Sequence, residues 1–286
     1  MKQSFLFLLL LAATVFTSQA KSYEIYVGGV QVTDENKNAI QEGVSFALDE
    51  NQSSCGILYL NNAHIVADGI DGCAIQFMGT TEMRELDIHI TGSCSLTAQR
   101  GYGMYLYTAE DESAYVFIMP QSDEARLTIN ASKNAIFMQE DAELNFGFGL
   151  PQTLIVNSTS GAEAIKATSD DTYLSILQNA NLYFTAGTSH NPQKIFHGVG
   201  NINMYGTPAI EPKSSWDSVN EEFYLYNTQQ PVTGYLEIVN VAGTGIEDIV
   251  ANDSNRSHAK KVMLDGTLYI VMPDGTVYDM QGQQVR

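Results

Sequence analysis

Between Ile57 and about Tyr205, short runs of alternating apolar and polar residues recur at intervals of about 29 residues. One set of apolar pairs is Leu58/Leu60, Ile88/Ile90, Val116/Ile118, Leu144/Phe146, Leu174/Ile176 and Ile202/Met204. A second set is Ile65/Ala67, Leu96/Ala98, Leu127/Ile129, Leu154/Val156 and Leu182/Phe184. A third is Ile75/Phe77, Tyr105/Tyr107, Ile136/Met138, Ile165/Ala167 and Ile195/His197. Three period-2 runs per unit, each bounded by Gly, Asn or Ser, predict three strands per repeat. The runs are too short for helices, and nothing repeats at helical spacing. A β-sandwich also uses many short strands, but it has no reason to repeat triplets of them at a steady interval. The pattern therefore predicts an all-β chain: a single-stranded parallel β-helix (β-solenoid) of about five to six coils, stacked about 4.8 Å apart.

The flanks read differently. Residues 21–56 are an expected N-terminal cap, with Gly28-Gly29 turning between Tyr26-Val27 and Val30–Val32. The coils occupy 57–206, and 207–241 form a C-terminal cap with strands at Phe223–Tyr226 and Tyr235–Val239. Residues 242–261 are polar and patternless, as a linker would be. In 262–286, Leu268–Met272 and Thr276–Met280 flank Pro273-Asp274-Gly275, a β-hairpin signal. At the other end, Lys2, an apolar run from Phe5 to Phe16 and the exit Ser18-Gln19-Ala20 predict a secretory signal peptide over 1–20. The run is too short to span a membrane, and no Cys follows the cut to carry a lipid anchor. The expected location is outside the inner membrane, in the periplasm, at the cell surface or secreted.

Charge narrows the partners. The chain has 286 residues, with 14 Lys+Arg against 33 Asp+Glu and a net charge of -19. Nucleic acid is excluded as a partner, because its phosphates need dense basic neutralisation. Cys55, Cys73 and Cys94 form no disulfide framework, being odd in number and sparse, and read as small buried side chains.

Two segments resemble known families. The opening from Tyr23 to Thr33, with Leu58-Tyr-Leu-Asn-Asn-Ala-His-Ile65, resembles a module of secreted β-helix-like proteins from gut Bacteroidetes and Firmicutes. That resemblance spans roughly Tyr23 to Gly206 and implies carbohydrate binding without catalytic residues. The end, Asp265–Ile270 with Tyr278–Gly282 and Val285, is similar to the sorting tails of Bacteroidetes secreted proteins of the type IX kind. The other reading of that tail is a hairpin that completes the fold.

Carboxylates give the clearest polar pattern. Glu82/Glu85, Glu110-Asp111-Glu112, Glu140-Asp141/Glu143 and Asp170-Asp171 follow the third strand of successive coils. They make either a solvated acidic rim or a Ca²⁺ ridge, since Ca²⁺ takes six to eight oxygens. No other cofactor is implied. Among aromatics, Trp216, Tyr224, Tyr226 and Tyr102 are candidates for stacking on a sugar ring. The even repeat places Tyr105 and Tyr107 in the core row, with Gln76, Leu106, Phe137, Lys166 and Phe196 facing outward. The cations between Ile57 and Asn201 fall at scattered registers. His64, His89, His190, His197 and His258 are dispersed, and no metalloprotease, nucleophile-elbow or phosphate-loop motif occurs. The expectation is an exported, non-catalytic solenoid that binds a neutral glycan or a surface protein. A purely structural, adhesin-like element and a polysaccharide-cleaving enzyme are the alternatives.

Overall fold

The computed structural model describes residues 20–70, 72–147, 150, 152–177, 179–187 and 193–239, with 260–264, 267–271 and 277–278. Residues 1–19 of the expected signal peptide (1–20) and most of the expected 242–261 linker lie outside the described residues. The chain divides into two units, Met1–Gly243 and Thr244–Arg286. The described residues contain strands and no helix, and hence no helix long and apolar enough to cross a membrane.

The first unit is a β-solenoid of about five coils with three faces. Face 1 stacks Cys55–Asn61, Glu85–Thr91, Ala114–Pro120 and Ala142–Phe146 in parallel, then the second halves of Ile165–Ile176 and Phe196–Met204. Face 2 stacks His64–Ala67, Ser93–Ala98, Arg126–Ala131, Gln152–Ser158 and Ala180–Thr185. Face 3 stacks Cys73–Gly79, Tyr102–Thr108 and Ile136–Met138, then the first halves of Ile165–Ile176 and Phe196–Met204. Strand Ile165–Ile176 runs unbroken across the corner from face 3 to face 1, so Asp170-Asp171 lie within a strand rather than in a turn.

Alternation sets the core. Leu58, Ile88, Ile118, Phe146 and Ile176 stack as one fully shielded ladder, and Leu86, Val116, Leu144, Leu174 and Ile202 as the next. The even spacing had set Ile88 beside Val116. A two-residue slip puts it beside Ile118 instead, and such a slip preserves the face because side chains alternate with period two. On face 2, Leu96 likewise meets Ile129 rather than Leu127.

Face 3 corrects the expected register by one residue. Met104, not Tyr105, pairs with Ile75 and Ile136, and Phe196 pairs with Ile165. A one-residue slip exchanges the two sides of a strand. Leu106 and Phe196 are therefore buried, while Tyr105, Tyr107 and His197 point outward beside Gln76, Phe137 and Lys166. The slip comes from uneven coil length, since the paired residues Ile75, Met104, Ile136, Ile165 and Phe196 lie 29, 32, 29 and 31 residues apart; a buried small residue, Ala74, Gly103, Ala135 or Ala164, precedes each of the first four. A Cβ at Gly103 would run into the Ile129 side chain and the Ala135 carbonyl.

Caps close the ends. Ser22–Val27 and Val30–Thr33 form a hairpin whose Gly28 and Gly29 take φ of 57° and 83°, as a tight hairpin turn requires. Ser22–Val27 lies antiparallel on face 3, and Val44–Leu48 antiparallel on face 1. At the far end, Tyr235–Val239 lies antiparallel on Ala180–Thr185 and carries Ala209–Glu211. A separate hairpin joins Ser214–Asp217 to Glu222–Leu225. Cys55, Cys73 and Cys94 are all buried, and none is in a disulfide.

The second unit holds the antiparallel strands Lys260–Leu264, Thr267–Val271 and Val277–Tyr278. The expected hairpin across residues 273–275 is there in the pairing of Ile270 with Tyr278, but a third strand begins at Lys260, inside the segment read as linker.

Truncating an inner ladder residue leaves a cavity that the tightly stacked coils cannot collapse, so Leu144→Ala should cost about 2–5 kcal/mol. Thr128→Ala on the outer side of face 2 should cost about 0.5 kcal/mol or less. Urea denaturation followed by far-UV circular dichroism measures both.

Candidate functional site

Outward positions form rows along the solenoid axis, so residues distant in sequence meet as neighbours. On face 1, one row reads Cys55, Glu85, Tyr115, Glu143, Tyr173, Asn201, and the adjacent row Ile57, Asp87, Phe117, Asn145, Ser175, Asn203. Between them lies an open groove of about 430 Å³, walled by Tyr115, Phe117 and Tyr205 with Glu85 and Glu143. Its floor is polar. Asn145 and Ser175 are buried there; the Asn145 amide donates to the Val116 carbonyl at 3.5 Å, and the Ser175 hydroxyl to Glu143 Oε1 at 3.3 Å. Buried polar side chains on an outward row are more informative than exposed ones, since they are costly unless partnered. Among the described residues, no Lys or Arg lines the groove.

Open ring faces distinguish this surface. Tyr115, Tyr173 and Tyr205 are 37%, 38% and 54% exposed, and no other aromatic ring covers them among the described residues. On face 3 the rings cover each other. Tyr102 stacks on Phe137 at 4.8 Å and Tyr105 on Tyr107 at 4.8 Å, while the Lys133 ammonium sits 5.1 Å from the Tyr102 ring centre. Tyr102 thus opens a strand within an aromatic ladder, where little of its ring is left for a ligand.

The remaining aromatic candidates lie in the C-terminal cap. Trp216 is half-buried, 5.5 Å from Phe223 and 6.4 Å from Phe196, ring centre to ring centre, so it packs over the end of the core. Its indole Nε1 is shielded without a hydrogen-bond partner. Tyr224 pairs with Ser215, on the other side of the hairpin from Trp216, and Tyr226 is exposed beyond it. These four residues are not brought into one site.

Nor do the corner carboxylates converge. Glu112 is held by Arg84 at 2.9 Å and Thr81 at 2.8 Å, whereas Glu110, Asp111, Glu140, Asp141, Asp170 and Asp171 stay exposed. Asp111 and Glu140 sit at positive φ in the turns. The one group of His, Cys, Asp or Glu close enough to share an ion among the described residues is Cys55, Glu85 and Asp87, with ligand atoms within 4.8 Å of one another. Burial, then the Asp87 and Glu85 charges, push the Cys55 thiol up to about 12. Burial, then Glu85 and Asp49, raise Asp87 to about 6. His89, two residues further along, has its pKa lowered by burial and meets Tyr59 edge-on at 5.3 Å.

A second groove, of about 640 Å³, opens where face 3 meets the cap, at Glu163, Gln193, Lys194, His197 and Gln230. Lys133, Lys166 and Lys194 come from three successive coils onto this face, although their spacing along the chain looked scattered. Its charges are largely paired internally: Lys194 with Glu222, and His197 Nδ1 with Glu163 at 3.1 Å. The Asn134 amide also donates to Glu163, at 3.1 Å.

Comparison with family models, curated proteins and solved structures returns no match.

Two outcomes follow from the cap. Trp216→Ala should lower stability by about 2 kcal/mol, less than a fully buried ring would cost, as read by thermal and urea unfolding. Burial pushes Glu163 up, but hydrogen bonds from its own backbone, His197 and Asn134 outweigh this and hold it below its ordinary 4.5. Its contribution is thus present above that pH and is lost as the pH falls through the lower folded value. Glu163→Gln should flatten this acid loss of stability, and a pH series of unfolding curves for both chains measures it.

Proposed function

We propose that the protein is an exported, non-catalytic binding module that holds a neutral glycan in the groove of face 1. The observation that carries this is the combination of open tyrosine faces with a polar floor and no cation. Pyranose rings present apolar C–H faces that stack on aromatic rings, and hydroxyls that need acceptors. Tyr115 and Tyr205 supply the rings, and Glu85, Glu143 and Asn145 the acceptors. A carboxylated or sulfated sugar would meet two carboxylates here with no compensating base. The volume lies within the range of small-molecule sites, though the groove is open on one side, as suits a segment of a longer chain. Export rests on the N-terminal pattern of Lys2, the apolar run and Ala20.

A glycan array probed with the purified chain tests this. Neutral oligosaccharides should bind, and acidic ones should not. Tyr115→Ala and Tyr205→Ala should each weaken binding about tenfold or more without changing the circular dichroism spectrum. A blank array, or binding indifferent to both substitutions, would move the reading to a structural surface element.

A further inference from the structure

We infer that Cys55, Glu85 and Asp87 form a binding site for a divalent transition-metal ion of the zinc class. Cys55 and Glu85 are direct partners across the first two parallel strands of face 1, and Asp87 is the next outward residue along the second strand. The three donor atoms, one sulfur and two carboxylate oxygens, lie within 4.8 Å of one another.

The thiol is placed unusually. A buried cysteine ordinarily packs as a small apolar side chain. Cys94 does so with its sulfur near the carbonyls of Leu60 and Thr91. Cys55 is only 1% exposed, yet its sulfur faces two carboxylates, and it hydrogen-bonds the Glu85 carboxylate as well as lying 3.8 Å from the adjoining Gly56 carbonyl.

The balance of partners is the independent observation. Other shielded carboxylates of this chain are matched by donors: Glu112 by Arg84 and Thr81, Glu163 by Asn134 and His197. In the Cys55 cluster, Glu85 receives the Gln52 amide at 2.9 Å, while half-buried Asp87 receives no hydrogen bond among the described residues. Besides the Cys55 thiol, which hydrogen-bonds Glu85, one neutral amide is the donor to these two carboxylates among the described residues, and a positive charge is what the arrangement lacks.

Donor chemistry selects the ion. Sulfur with carboxylate oxygen suits zinc and its neighbours, and water completes four-coordination. Ca²⁺ takes oxygen ligands in greater number and gains nothing from a thiolate. On binding, the S–H bond breaks and its proton passes to solvent as the sulfur–metal bond forms, with no change of oxidation state.

Co²⁺ is the probe, because a cobalt–thiolate bond gives a near-ultraviolet charge-transfer band and a four-coordinate ion gives visible d–d bands. Titration of the purified chain should reach one equivalent. Cys55→Ser should abolish the charge-transfer band, and Cys73→Ser and Cys94→Ser should each keep it. Glu85→Gln changes a partly exposed side chain and covers the case in which the Cys55 variant fails to fold. It should lower Co²⁺ affinity at least about tenfold, since even outer-shell partners of a metal contribute that much. No charge-transfer band at saturating Co²⁺, a band that survives Cys55→Ser, or unchanged affinity in Glu85→Gln would each overturn the assignment. The readout needs no sugar, so its failure and that of the glycan reading are separate results.

Discussion

Parallel hydrogen bonding from coil to coil is the constraint on which the rest of this structure depends. It fixes each strand about 4.8 Å from the like strand of the next coil and holds its register. Inward residues then have no choice but to stack on inward residues, as Leu58, Ile88, Ile118, Phe146 and Ile176 do. The same geometry aligns the outward rows. Tyr115 and Glu143 stand side by side only because Val116 and Leu144 are stacked beneath the same sheet. The groove on face 1 and the Cys55–Glu85–Asp87 group are by-products of the core ladder.

A parallel stack also leaves a strand edge at each end, which would otherwise recruit other chains. Here the caps answer by reversing direction. Antiparallel strands cover faces 3 and 1 at the start and face 2 at the end. Beside the last coil, Trp216 and Phe223 lie against Phe196 and shield the core. A lone tryptophan in a mostly polar cap is a candidate for stacking on a ligand, but it is more often packing than platform. The contact with Phe196 is what gives it a packing role.

The solenoid was legible because its apolar residues repeat, and repetition survives slips of two residues without consequence for the face. Face 3 was misread where the repeat is uneven: 29 residues separate Ile75 from Met104 but 32 separate Met104 from Ile136, and an even spacing through this stretch lands on Tyr105, one residue away from the inward position. The site was harder to see. Neither the Tyr115–Glu143 wall nor the Cys55–Glu85–Asp87 group is contiguous, and each depends on a register that apolar spacing does not specify. The outward signal was a Tyr, Asn or carboxylate recurring at the alternate position, as at Tyr115, Glu143 and Tyr173. It blends into ordinary surface polarity until the coils are stacked.

The row Glu85, Tyr115, Glu143, Tyr173 alternates acid and phenol from coil to coil. The backbone repeats once per coil, but the chemistry of these four positions repeats once per two, about 9.6 Å at the usual strand spacing. This stretch of the row is therefore a ruler with a coarser graduation than the solenoid that carries it. Along these four positions, a linear molecule shifted by one coil exchanges carboxylate for ring, whereas a shift of two meets the same residue type in this row again.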